Sequence, residues 1–480
     1  MENDLKAKSI NSFAWKIGQS VCTLGMTFLI QIVLARILSP EDFGIIGIAT
    51  VFMTLANTII ETSFSSAIIQ RNSLNQKLTS SVFYANLFLS LAVYAVLFFT
   101  APAIAAFYDV SVLIPILRVQ GIRVIISGFY AIPQSFLNRK MKFKEIFFCS
   151  LAGSIVQAIV GFGMAYMGAG IWALVISTLA SCVVSGIAMI ILEPWRPSIY
   201  FSFKQVKSAL AFSSNILAIR VIRKVFYNVR VLAIGKVYDT EILGLFNKGF
   251  QFPSTAMTVV DGSLTPVAFT SLAKLQNNVE KLTSSLRQYV RIMMFLCTPI
   301  MVGMALVAKP MVVVLLTDKW IDCVPFLQII CFTQLLITLN VKTTALEALG
   351  ESGISMKLQV SGIILSIILL LASIPFSALV MTFSGLISTI ILQIAVAIVV
   401  NKRLKYSIKE QLEDIFCALI PTAAMILAVV AVSFIPCGYL LSLCLEIIAG
   451  VAAFILVSIL TKNTVFSTIW NIVRSKLRRR

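Results

Sequence analysis

Long apolar runs alternate with short polar breaks along this chain, and each run can cross about 30 Å of hydrocarbon as a helix. Such runs begin near residues 13, 43, 80, 113, 146, 170, 208, 242, 288, 322, 355, 378, 412 and 439. The pattern predicts an all-α polytopic membrane protein with about fourteen transmembrane helices. Between 355 and 400 only Pro375 and a few small residues separate two of the spans. The longest breaks, about 193–207 and about 269–287, are too short to house a soluble catalytic domain.

A faint repeat runs through the pattern. VLARILSPEDFGIIG (33–47) follows the first span, and VLAIGKVYDTEILGLF (231–246) follows the seventh. Both place Val-Leu-Ala at a helix end, then an acidic turn, then Gly44 or Gly244 opening the next helix. An even number of spans separates the copies, so both halves share one membrane orientation, related by an axis along the membrane normal. The expected organisation is a six-helix lobe over 1–192, a cytoplasmic linker over 193–207 and a second six-helix lobe over 208–400. Two additional helices with a basic cytoplasmic tail fill 401–480. Two pseudo-symmetric bundles facing each other across a central cavity form the plan of a transporter.

Composition agrees with a life in lipid. Apolar residues make up 59% of the chain, charged residues 12%, and the mean hydropathy is +0.96. A soluble chain is nearer half apolar and a quarter charged. The N-terminal MENDLKAKSINSFAWK enters the first span without a small-residue cleavage site, so no signal peptide is expected. The nine cysteines show no metal-ligand spacing and histidine is absent, so no metal, cofactor or catalytic site is expected. Any enzyme chemistry would fall to carboxylates or hydroxyls.

The net charge of +19 is mostly topology. With the N-terminus inside, inner loops and tails hold 25 Lys and Arg, from Lys6, Lys8 and Arg71 to Arg474, Lys476, Arg478, Arg479 and Arg480. Outer loops hold only Arg36, Lys236, Lys309 and Lys319. This asymmetry places both termini in the cytoplasm. Basic residues spread over many short inner loops do not form a nucleic-acid footprint.

Ten basic residues remain within the spans. Lys16, Arg291 and Lys342 near the inner face, and Arg118 and Lys248 near the outer face, read as snorkelling anchors. The segment IRVIRKVFYNVRVL (219–232) is different. Stepping 100° per residue, Arg220, Arg223, Lys224 and Arg230 share an arc of about 120°. Ala218, Ile222, Val225, Val229 and Leu232 lie opposite. Arg220 stands about twelve residues into its helix, roughly 18 Å at 1.5 Å per residue. Arg123, on the fourth span, is at comparable depth. Each such cation costs roughly 2.5–3.5 kcal/mol on insertion scales, so it faces water or a partner.

Only Glu61, Asp261 and Glu446 supply carboxylates at depth. One reading is internal pairing, such as Arg223 with Asp261. The other is a solvated cationic cavity in which Arg220, Arg223, Lys224, Arg230 and Arg123 bind an anionic substrate. Guanidinium groups grip phosphate through paired donors, which suits a pyrophosphate. Glu61 and Asp261 are the candidate coupling or ion-pair carboxylates. Trp172, Trp195, Trp320 and Trp470 fall near span ends and read as an interfacial belt.

Four segments, in order, carry a resemblance. They are LARILSPEDFG (34–44), FLNRKMKF (136–143), GAGIWALV (168–175) and EPWRPSIYF (193–201). They resemble the polysaccharide-transport branch of the multidrug/oligosaccharidyl-lipid/polysaccharide exporter superfamily, of the O-antigen, colanic-acid and teichuronic-acid type. The resemblance runs from the first span to about residue 350. It implies two six-helix lobes around a cavity lined by basic residues. It also implies flipping of undecaprenyl-pyrophosphate-linked oligosaccharide to the outer leaflet of the bacterial cytoplasmic membrane by alternating access. Implied partners are that lipid-linked oligosaccharide, membrane lipids and other polysaccharide-assembly proteins. Relatives commonly carry an acid near the end of the seventh helix, where this chain has Asn228 and Arg230.

Three rivals fit less well. The cavity of a cation-coupled drug exporter would be lined by acids and aromatics, and here bases dominate. A membrane-embedded glycosyltransferase or polymerase needs a large outer loop or a paired carboxylate. An assembly scaffold gives no reason for midplane charge.

Overall fold

Nearly every polar break becomes a helix end, several of them closed by a side-chain cap. The computed structural model describes residues 2–64, 68, 74–467 and 470. Arg71, Arg474, Lys476, Arg478, Arg479 and Arg480, with the expected basic tail, lie outside the described residues, as do the side chains of Lys6, Lys8 and Lys16. Seventeen α-helices follow in order among the described residues. They are α1 (Glu2–Ile37), α2 (Pro40–Ser63), α3 (Gln76–Tyr108), α4 (Leu113–Arg139), α5 (Phe143–Tyr166) and α6 (Trp172–Leu192). Next come α7 (Phe203–Val237), α8 (Thr240–Ala273), α9 (Val279–Leu306), α10 (Ala308–Leu316), α11 (Val324–Ile337) and α12 (Val341–Ala348). The last are α13 (Ser352–Ser373), α14 (Ala378–Leu404), α15 (Ile408–Ile415), α16 (Leu419–Ser433) and α17 (Tyr439–Leu460).

Among the described residues, twelve helical stretches are long and apolar enough to cross a membrane. The helices α7 and α8, of 35 and 34 residues, stand where the seventh and eighth spans are expected but fall outside that set. The basic stripe in α7 explains its lower hydropathy. This helix starts at Phe203 rather than near 208, so Arg220 lies about 25 Å along it, close to its middle. The break near Pro375 is real: α13 ends at Ser373, and the Ser377 side chain caps α14 by accepting from Val380 N.

Packing divides the chain into Met1–Asn247 and Lys248–Arg480. A division by repeat at 193–207 differs from this one chiefly by α7, which packs against α2 and α3 in the first unit. Within that unit α5 packs on α6 and α1, while α4 packs on α3, α6 and α2. The segment after α6 is sewn to the start of α3. Trp195 Nε1 donates to Gln76 Oε1 at 3.0 Å, Ser80 and Ser198 hydroxyls meet at 2.9 Å, and Ser202 N donates to Ser81 Oγ at 3.0 Å. Lys140 Nζ lies 2.6 Å from the buried Glu193. The EPWRPSIYF motif is therefore a fastening.

The repeated junctions touch each other. Ser39 closes a capping box with Asp42 at the start of α2, and Asp239 Oδ1 accepts from Ile242 N at the start of α8. Four residues into each helix the backbones cross at Gly44 and Gly244. A Cβ on Gly44 would lie 1.7 Å from the Thr240 carbonyl oxygen, and one on Gly244 would lie 1.9 Å from that of Pro40. Only residues without a Cβ allow this approach.

In the second unit one cluster of charges is closely paired. Asp414 on α15 is fully buried and accepts from Arg287 Nε at 2.8 Å, from Arg291 Nε, and from the Tyr406 hydroxyl at 2.7 Å. Burial, then the adjacent carboxylate, pushes the Tyr406 phenol above its usual range. Arg287 also pairs with Glu410, which forms a capping box with Ser407. Three expected anchors behave differently. Lys342, 1% exposed, donates to Gln411 Oε1 at 2.9 Å, and Lys248, 2% exposed, donates to Gln251 Oε1 at 3.1 Å. Trp320, expected in an interfacial belt, is fully buried with its ring 5.7 Å from Lys248 Nζ. Protein, rather than the headgroup layer, solvates these ends.

Two stability outcomes follow. Gly44→Ala lowers the thermal midpoint of the purified protein, by an overpacking cost of about 1–3 kcal/mol or more. Gly163→Ala, whose Cβ would meet nothing within 4 Å, leaves it unchanged or higher. Asp414→Ala costs about 2 kcal/mol, a buried-pair value reduced because both arginines are partly exposed. Glu410→Gln, which keeps the helix cap, has far less effect, and equal melting of the two variants would contradict the pairing.

Candidate functional site

The site is built on three helices of the first unit. Met53, Ala56 and Ile60 of α2, Leu97 of α3 and Val124 of α4 form a buried apolar cluster. Next in sequence, Glu61 and Arg123 point out of that cluster: Glu61 is exposed and Arg123 half-buried. The helical period thus puts apolar side chains beneath the site and charged ones on its surface.

On α7 the spacing expected from sequence holds. Arg220, Arg223 and Lys224 are exposed and Arg230 is half-buried. From Ala218 to Tyr227 every residue except Val221 is exposed, including Ile219, Ile222, Val225 and Phe226. The middle of α7 therefore lacks protein cover on both its basic and its apolar arc. Its far end is buried: Ile234 is fully covered, and a Cβ on Gly235 would lie 3.2 Å from Ile48 on α2. One packed end holds out an unpacked middle.

Because α2 and α7 pack side by side, Glu61 comes within electrostatic reach of Arg123, Arg220 and Lys224. No ion pair joins Glu61 to any of them among the described residues. Three cations, Arg123, Arg220 and Lys224, around one carboxylate leave a positive excess. Two guanidinium groups also keep unspent donors, because the Nε atoms of Arg123 and Arg230 are buried without a hydrogen-bond partner. Unpaired buried donors are costly unless something accepts from them.

The structure adds two residues. Asn57, four positions before Glu61 on the same face of α2, has a buried Oδ1 without a partner. Arg118, expected as an outer anchor, has its guanidinium 4.1 Å from the centre of the Phe98 ring and its Nε unpartnered. The i, i+4 spacing of Asn57 and Glu61 was the available signal for the first. Asp261 and Glu446 belong to the second unit, where Glu446 accepts from Ser442 at 2.7 Å and Asp261 lines a separate cavity. Guanidinium and ammonium groups with donors to spare beside one carboxylate are able to accept an anion.

Comparison with known proteins bears on the same residues. The family described as "Polysaccharide biosynthesis protein" matches residues 33–325, which include both repeated junctions and the α7 stripe. The lipopolysaccharide biosynthesis protein WzxC of Escherichia coli (strain K12) is 23% identical over 74% of this chain and 73% of its own length. The succinoglycan biosynthesis transport protein ExoT of Rhizobium meliloti (strain 1021) is 23% identical over 70% of this chain and 69% of its own. Among solved structures, the lipid II flippase MurJ in an inward closed conformation aligns with a TM-score of 0.74. That match has 17% identity and covers 96% of this chain and 99% of the other. An inward-facing multidrug transporter of the MATE family aligns with a TM-score of 0.65 at 16% identity, covering 80% and 94%. These structures share the fold.

Exposure of the basic arc to water predicts a labelling pattern. In a cysteine-free background, Lys224→Cys reacts with a membrane-impermeant sulfonate thiol reagent about tenfold faster than Ile222→Cys on the opposite arc, since lipid excludes the charged reagent. Equal rates at the two positions would remove the aqueous face.

Proposed function

This chain belongs to the family of polysaccharide biosynthesis proteins, and we propose that it flips polyprenyl-pyrophosphate-linked oligosaccharide repeat units across the bacterial cytoplasmic membrane. The observation that carries this reading is the gathering of Arg123, Arg220 and Lys224 about the single carboxylate Glu61, near the middle of α7, with the Nε atoms of Arg123 and Arg230 buried without an acceptor. A pyrophosphate bears about two negative charges near neutral pH, and arginine matches its oxygens through paired donors. Arg220, Arg223, Lys224, Arg230 and Arg123 are the residues assigned to that group. Relatives named for lipopolysaccharide biosynthesis and succinoglycan transport support the substrate class.

The mechanism proposed is alternating access. Both termini lie in the cytoplasm, as the loop charges require. The proposed moving parts are a six-helix lobe over 1–192 and another over 208–400, joined through 193–207, with 401–480 as an addition; α7, first in the second of these by repeat, packs on α2 and α3 and would move with them. The headgroup enters from the inside, is held by the basic arc, and leaves outside while the polyprenyl tail stays in lipid. Two roles fit Glu61: counter-ion to Arg123, Arg220 and Lys224 when no substrate is bound, or a carboxylate that carries a coupling ion. Asp261 is the other coupling candidate. Movement of the substrate requires no bond to form or break, so this is transport. Membrane lipids and other polysaccharide-assembly proteins are the further partners.

Deletion of the gene is expected to abolish surface polysaccharide and to accumulate its lipid-linked intermediate on the cytoplasmic leaflet. Complementation with Arg220→Ala or Arg223→Ala restores at least tenfold less polymer than the unchanged gene, as expected if the barrier to flipping rises by about 1.4 kcal/mol or more. Arg220→Lys restores an intermediate amount, because the charge survives and the paired donors do not. Full restoration by both alanine variants would sink the assignment.

A further inference from the structure

One exposed side chain within the basic arc of α7 is aromatic rather than charged. Stepping 100° per residue, Tyr227 falls at the centre of the arc of about 120° that Arg220, Arg223, Lys224 and Arg230 share. It is 63% exposed, against 38% for the neighbouring Phe226, which lies outside that arc. Lys224 and Arg230 stand three positions from Tyr227 and Arg223 four, spacings that set Cβ atoms about 5–6 Å apart on a helix surface.

The packing of α2 against α7 places a second group at the same height. A Cβ on Gly235 would lie 3.2 Å from Ile48, and Glu61 is within electrostatic reach of Arg220 and Lys224. Passing along α2 from Ile48 to Glu61 therefore means passing back along α7 from Gly235 to about residue 222, one residue for one. In that antiparallel register Asn57 comes level with residue 226, one helical rise of about 1.5 Å from Tyr227. Asn57 makes no side-chain hydrogen bond among the described residues, and its Oδ1 is buried without a partner. Unspent amide capacity is costly unless something takes it up, and a half-turn of the amide offers a hydroxyl either an acceptor or a donor.

An aromatic face and an unspent amide at one level have the character of a sugar subsite. A pyranose presents a flat C–H face, which an aromatic ring covers, and a rim of hydroxyls, which needs donors and acceptors. In a pyrophosphate-linked repeat unit the first sugar is bonded directly to the phosphate. Phosphate oxygens held by Lys224 and Arg230 therefore leave that sugar beside Tyr227, within one helical turn. We propose, resting on the flippase reading, that Tyr227 and Asn57 form the subsite for the first sugar of the repeat unit. Tyr227 stacks on its C–H face and Asn57 hydrogen-bonds one of its hydroxyls. The cations grip what every such repeat unit shares, and this pair reads the sugar by which they differ.

The test measures binding of defined lipids to the purified full-length protein in detergent. The probes are undecaprenyl pyrophosphate alone and the same lipid carrying a single glucose, galactose, N-acetylglucosamine or N-acetylgalactosamine. The unchanged protein binds at least one glycosylated lipid about tenfold more tightly than the bare one. In Tyr227→Ala that ratio falls to about one, and Tyr227→Phe, which restores the ring, retains most of it. Asn57→Ala lowers the ratio about threefold. Arg220→Ala weakens binding of every lipid and keeps the ratio, so the sugar and phosphate contributions are read separately. A sugar preference that survives in Tyr227→Ala, or is absent from the unchanged protein, would overturn the subsite and leave the flippase reading in place. Failure of every lipid to bind would overturn both.

Discussion

A formal charge carried into hydrocarbon must be paired, hydrated or neutralised, and the two units of this chain meet that requirement in opposite ways. In the second unit Asp414 is enclosed by Arg287, Arg291 and Tyr406, and Lys342 is closed by Gln411. The contacts to Arg287, Arg291 and Lys342 join distant parts of the sequence and fix α15 against α9 or α12. In the first unit the cations of α7 and α4 outnumber Glu61, and buried Nε atoms are left without acceptors. The same physical cost therefore produces a fastening in one unit and, in the function proposed, a receptor in the other.

What makes the receptor precise is the unequal packing of α7. Its C-terminal end is locked between α2 and the start of α8, with Gly235 close to Ile48 and Leu243. Its middle carries the basic arc without cover. A helix anchored at one end keeps its hydrogen-bonded rigidity, so Arg220 is held at a set angle although nothing packs on it. The apolar arc opposite, with Ile219, Ile222 and Val225 exposed, gives lipid a compatible surface.

Much of the fold was legible in the sequence because hydrophobic period and length are local properties. The expected starts at 113, 146, 170, 242, 378 and 439 each fall within three residues of a helix start. The α7 arc was legible for the same reason: its angular spacing is fixed by the helix alone. What could not be read depends on tertiary partners. Asp414 looked like one acid in a polar break, yet it meets Arg291 across 123 positions of sequence. Lys248, Lys342 and Trp320 looked like interfacial anchors and are buried, because span-end position says nothing of which neighbour covers a side chain. The interruption at Thr338–Asn340 leaves no proline or glycine to announce it.

The contact between Gly44 and Gly244 has a consequence for heredity. Each junction is the steric environment of its own copy. A side chain acquired by either glycine strikes the main chain of the other copy, which no compensating side-chain change can move aside. The two positions are therefore tied to glycine together: the surrounding helices can change side chains freely, while the crossing point cannot.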